Sequence, residues 1–144
     1  MNIKLTPEER FEVFGDFDPD AHAAEAQERW GGSEAYEQSR VRVSSYDKRA
    51  WLQIKREGEE IERAFVVALT DGTAPDAAAA MDLAEEHRRH ISRWFYDCTY
   101  EMHARLAQMY VDDARFAVRY EAIARGLAAY IRDAAAANAR RATA

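Results

Sequence analysis

The period of its apolar residues constrains this chain most. From Asp47 onward, Trp51, Ile54, Ile61, Phe65 and Leu69 recur at helical spacing, interrupted only by Gly58. That spacing stacks side chains on one face of a 3.6-residue helix, whereas a strand would need strict alternation. Helix signals run through the rest of the chain and strand signals are almost absent. The sequence therefore predicts an all-α fold.

The helix boundaries carry their own chemistry. Thr6-Pro7-Glu8-Glu9 is a capping box with proline at the first helical position: the Thr6 hydroxyl accepts from the Glu9 amide and the Glu9 side chain reaches back. Phe11 and Phe14 follow, and Gly15 is suited to end that helix in a left-handed conformation. Asp18-Pro19 starts a second helix to about Trp30, closed by Gly31-Gly32. Ser33 caps a third, through Tyr36 to about Val43. Asp71-Gly72-Thr73-Ala74-Pro75 reads as a turn, with Asp76 as the next cap. Met81, Ala84, Ile91 and Phe95 form the expected buried face there, with Trp94 beside them. Tyr96-Asp97-Cys98 reads as a junction. Met102, Leu106 and Met109 stripe the following helix. Asp112 is the expected cap of one carrying Phe116, Tyr120 and Ile123. Arg125-Gly126 breaks it, and Leu127, Ile131, Ala134 and Asn138 line a last, alanine-rich helix.

At 144 residues the chain is long enough for one domain, which buries about 70% of its unfolded surface. No apolar run approaches the roughly 20 residues that span a bilayer. Met1 to Arg10 is charged and lacks the apolar core of a signal peptide, so a cytoplasmic protein without membrane contact is expected. The single cysteine, Cys98, excludes an internal disulfide. Net charge is −6. Residues 1–46 carry five basic and ten acidic side chains, hence −5, and the remainder −1. Such a chain repels phosphate and is a poor partner for nucleic acid by itself.

Two zones result. Residues 47–144 make the expected helical core, with a ligand cleft. Residues 1–46 make three short acidic helices bearing Phe11, Phe14, Phe17, Trp30, Tyr36 and Tyr46. Helices below about 12–15 residues are marginal alone, so these aromatics either pack permanently on the core or close over a ligand.

No phosphate loop, nucleophile elbow or Cys-x-x-Cys is present, so no enzyme, cofactor or metal is expected. His87 and His90 lie three apart, at a spacing that could share a metal. The charge of Glu86-His87-Arg88-Arg89-His90 favours a solvated face instead. Glu85, Glu86, Arg88 and Arg89 read as surface partners at i, i+3 and i+4. Cys98 reads as a small buried hydrophobe four residues before Met102. The alternative is a nucleophile activated at a helix start. Met102, Met109, Tyr96, Tyr100, Tyr110 and Trp94 form a soft aromatic group that is either core or adapted to large flat ligands, and His103 lies off the main stripe with the same two readings open.

Longer strings carry a resemblance. Leu5-Thr6-Pro7-Glu8-Glu9-Arg10-Phe11-Glu12-Val13-Phe14-Gly15-Asp16-Phe17-Asp18-Pro19 resembles the opening of the TipAS drug-binding domain. Tyr96-Asp97-Cys98-Thr99-Tyr100-Glu101-Met102-His103, Met109-Tyr110-Val111, Asp113-Ala114-Arg115-Phe116, Gly126-Leu127-Ala128-Ala129-Tyr130, Arg132-Asp133-Ala134 and Ala137-Asn138-Ala139 continue it with spacing kept. The resemblance implies a globin-like helical bundle with a short-helix N-terminal lid that folds over the drug. It implies the effector domain, or free short form, of MerR-type transcription activators that sense or sequester thiopeptide antibiotics or similar polycyclic compounds. The implied ligand contacts are Phe11, Phe14, Phe17 and Trp30 from the lid, and Tyr96, Tyr100, Met102, His103 and Arg105 from the core. The best-known family member joins its drug through a cysteine that attacks a dehydroalanine. Arg105 stands at that place here and Cys98 matches the family's other cysteine, so non-covalent capture is expected. The family's activators reach DNA through a winged-helix domain that these residues do not include. A protein-docking role for the aromatic N-terminal segment is the rival reading.

Overall fold

The computed structural model describes residues 3–14 and 33–143. Among them are seven helices and no strand: α1 (Pro7–Phe14), α2 (Glu34–Val43), α3 (Lys48–Thr70), α4 (Ala78–Trp94), α5 (Tyr100–Asp112), α6 (Ala114–Ile123) and α7 (Leu127–Thr143). The all-α expectation is met. The helix expected over 18–30, with Phe17, His22 and Trp30, lies outside the described residues, as does Gly15.

Most caps form as the sequence predicts. Glu9 N–H donates to Thr6 Oγ1 at 3.1 Å and Thr6 N–H to Glu9 Oε1 at 3.0 Å. Ser33 Oγ accepts from Tyr36 N–H. Asp47 accepts from Ala50 N–H, and α3 runs through Gly58 unbroken. Gly72, at φ 76°, makes the turn after α3. Two caps differ. Asp112 ends α5, and its neighbour Asp113 caps α6 by accepting from Arg115 N–H. After the turn, α4 starts at Ala78, past Asp76, because a tight turn from Ala77 N–H to Ala74 C=O precedes it.

The chain forms two compact units: Met1–Gly58 with Ile91–Asp97, and Glu59–His90 with Cys98–Ala144. The core of the first is Ile3, Val13, Val43, Trp51 and Ile54, flanked by Leu5, Phe14, Tyr46, Trp94 and Phe95. In the second, α5 packs on α7, and α6 packs on both. Phe65, Tyr110, Tyr120, Leu127, Tyr130 and Ile131 supply bulk. Ala80, Ala84, Ala107, Ala128, Ala134 and Ala135 supply closeness, since a methyl side chain lets ridges of neighbouring helices interlock at short axial distance. Apolar positions on three helices depart from expectation. Ile123 is exposed, on α4 Ala80 joins Ala84 and Ile91 inside while Met81 stays half-buried, and on α5 the buried stripe is His103, Ala107 and Tyr110 while Met102, Leu106 and Met109 stay half-buried. Among the described residues no helix is long and apolar enough to cross a membrane.

Candidate functional site

In the second unit the sequence concentrates polar chemistry where α4 meets α5 and α7. Glu85 is the hub. Its side chain is only 14% exposed. It accepts from Arg88 Nε and Nη2 at 3.1 and 2.6 Å, from Arg89 Nε at 3.0 Å, from the Tyr100 hydroxyl at 3.3 Å and from Asn138 Nδ2 at 3.1 Å. Arg88 also donates to the Cys98 carbonyl at 2.8 Å and lies over the Tyr100 ring, 4.2 Å from its centre. Buried Asn138 accepts from Arg141, which pairs with Asp82. The expectation of plain surface partners thus fails for Glu85 and Arg88: they tie three helices together. The Arg88 hydrogen bonds, then those of Asn138 and Tyr100, hold the Glu85 carboxyl down at about 2 against the opposing effect of burial. Charge-assisted bonds of this kind are the strong ones.

Beside this hub, His103 is 1% exposed and its Nε2 lies 2.9 Å from His87 Nδ1. Desolvation depresses both rings, His87 to about 3 with added repulsion from His103 and His90, and His103 to about 4 with added repulsion from Arg88. Both are therefore neutral at pH 7, one donating to the other. His87 thus leaves the solvated face expected of it and pairs inward. Its ring also meets Phe65 and Tyr110, and Tyr110 meets Phe116 and Tyr120. Among the described residues no group of three or more His, Cys, Asp or Glu side chains is placed to hold a metal.

The four expected contacts on α5 divide. Tyr100 and His103 turn toward α4. Met102, whose amide donates to the Thr99 cap, is half-buried. Arg105 is 77% exposed and paired with Glu101 at 2.6 Å. Two residues along a helix is about 200° around it, so Arg105 and His103 occupy opposite faces. Cys98 is buried just before the Thr99 cap, its thiol 3.7 Å from the Thr99 carbonyl. Tyr96 is half-buried in the junction after α4.

In the first unit an aromatic cluster surrounds Trp51. Phe14, Tyr46 and Phe95 stand 5.3, 5.8 and 6.2 Å from it, and Tyr46 also meets Trp94 at 5.5 Å. Phe14 and Tyr46 meet Trp51, and Tyr46 meets Trp94, at the edge-to-face angles the ring quadrupole favours, while Phe95 is tilted at 49°. Polar tips are satisfied around it: Tyr46 hydroxyl donates to Trp94 C=O, and Trp94 Nε1 to Glu57. Arg42 donates to Ser92 C=O and Asp97. Phe14 is half-buried in this cluster, while Phe11 is 63% exposed. Trp51 and the Glu85 hub are the residues that sequence reasoning passed over.

The family model of the TipAS antibiotic-recognition domain matches residues 22–138. The chain belongs to the TipAS family. Its likeness to other members is extensive. The transcriptional activator TipA of Streptomyces coelicolor is 52% identical over 143 residues, 99% of this chain and 56% of TipA. The transcriptional activator mta of Bacillus subtilis is 32% identical over 103 residues, 72% of this chain and 39% of mta. This TipAS-family chain thus spans just over half of TipA. Among solved structures, the Streptomyces lividans TipAS in complex with nosiheptide matches with a TM-score of 0.90 at 52% identity, covering 99% of both chains. These relatives are transcription regulators and antibiotic-binding domains.

Proposed function

We propose that this domain binds thiopeptide antibiotics reversibly and acts as the sensing or sequestering part of an antibiotic response, without turning the drug over. The observation that carries this reading is the near-complete match to a TipAS domain solved with nosiheptide. At 52% identity over 99% of the chain, the surface that receives a flat, azole-rich macrocycle is expected to be retained. Partly exposed aromatic and soft side chains suit such a ligand: Phe11, Phe14, Tyr96, Tyr100 and Met102. His103 is buried against His87, Tyr100 is held by Glu85 and Arg88, and Arg105 faces solvent as the charged rim. Phe17 and Trp30 extend the same set. Residues 1–46 act as the closing segment that the family resemblance implies, and their closure on the drug is the differential state that a longer regulator would transmit to DNA.

Arg105 in place of a nucleophile and the burial of Cys98 support non-covalent capture, because a thiol attacks as an accessible thiolate. Intact mass of the protein after incubation with nosiheptide tests this. Co-elution in native gel filtration with an unchanged mass under denaturing conditions is expected. A mass increase equal to one drug molecule would instead identify Cys98 as a nucleophile, and a hydrolysed or rearranged drug would reveal an enzyme.

A further inference from the structure

Trp51 holds a donor with no acceptor among the described residues. Its indole is 4% exposed, and its Nε1 is the buried side-chain polar atom that lacks a hydrogen-bond partner among the described residues. The other ring donor of the same cluster, Trp94 Nε1, is matched to a carboxylate at 2.7 Å, so local packing is able to supply acceptors. An indole N–H is donor only and has no alternative use. A buried donor left unpaired destabilises the fold by its desolvation, and phenylalanine at the same place would not carry that cost.

The rings around Trp51 differ in how firmly they are held. Tyr46 is tied by its hydroxyl to Trp94 C=O. Phe14 sits at the end of an eight-residue helix, is partly exposed, and is the ring nearest to Trp51. The helix itself is held to α3 by Val13, which is buried in one core with Trp51 and Ile54, and by the partly exposed Glu12–Lys48 ion pair. With Val13 kept in that core, rotation of the half-buried Phe14 side chain alone would bring a ligand ring against the Trp51 edge, with one N–H in the wall. The chemistry that fits is a flat heteroaromatic ring bearing an in-plane acceptor, such as an azole nitrogen, or an amide carbonyl conjugated to it.

We propose that the Trp51 indole N–H is a ligand-binding donor of this domain, held unpaired in the free protein and satisfied by an acceptor of the bound antibiotic. This inference rests on the antibiotic-binding reading above. It predicts a signature that a packing role does not share, a ligand-dependent change at the Trp51 indole N–H itself.

The test compares wild type and Trp51→Phe by thermal melting and by titration with nosiheptide. The variant is expected to lose stability through the cavity left by the smaller ring, partly offset by removal of the unpaired donor, and to bind about five- to tenfold more weakly, the loss of one neutral hydrogen bond. In parallel, the wild-type indole N–H resonance, assigned by its absence in the variant, is expected to move downfield on adding nosiheptide. Equal affinity of the two proteins together with an unmoved resonance overturns the proposal while leaving antibiotic binding intact. Should the variant fold poorly, the three wild-type indole N–H resonances decide: a downfield shift of one on adding nosiheptide supports the proposal, and three unmoved resonances overturn it. Failure of wild type to bind nosiheptide overturns the antibiotic-binding reading first, and this inference with it.

Discussion

Single side chains in the second unit set how the domain responds to acid. His87 and His103 are neutral when folded, with values near 3 and 4 against 6.5 when unfolded. The unfolded chain therefore binds more protons below pH 6.5, and stability falls as pH drops from about 6.5 toward 4. Glu85, held at about 2 against an ordinary 4.5, adds a second loss of the same sign between about 4.5 and 2. His103→Gln is expected to flatten the first of these steps, on the order of 1–3 kcal/mol, with thermal melting from pH 7 to pH 4.5 as the measurement. An identical pH profile in the variant would remove the pair from this account. The residue scale was also the least legible in sequence. Glu85 and Arg88 look like any i, i+3 ion pair, and what separates them from solvated neighbours is the helix surface they share with Tyr100 and Asn138, which lie 15 and 53 residues away. His87 did carry a signal. It falls on the stripe of Ala80, Ala84 and Ile91, so its inward turn follows from the period once Ala80 is counted with the apolar set.

At the scale of elements the sequence was read more successfully, because caps and helical period are local. The reciprocal capping box of α1 and the Ser33 cap of α2 form as spelled. The Asp112–Asp113 ambiguity is physical, since adjacent aspartates offer the same oxygen and only the last turn of α5 decides which one is free to cap. Thr6→Ala is expected to cost α1 about 1 kcal/mol. Amide hydrogen exchange should speed up across residues 7–14 and stay unchanged in α5 to α7. Where helices approach on alanine the opposite fragility holds. Ala84 is fully buried among the core side chains, so Ala84→Leu is expected to destabilise the domain by about 1–3 kcal/mol through overpacking. Chemical denaturation should show a lowered midpoint, and an unchanged midpoint would mean that the space around α4 is looser than the packing indicates.

For the whole molecule, helical content and the family were both evident from the strings that match the TipAS domain. A ligand-binding surface was not evident from period or composition, because its aromatic residues obey the same spacing as core. Trp51 illustrates this: on the stripe it reads as packing, and only its unpaired N–H sets it apart. The central claim is that these residues bind a thiopeptide. Calorimetric titration of the intact chain with nosiheptide tests it most directly. The account predicts saturable binding at one drug per chain, with a negative heat-capacity change from buried apolar surface. The absence of a saturable heat change at two temperatures, together with no co-elution, would contradict it.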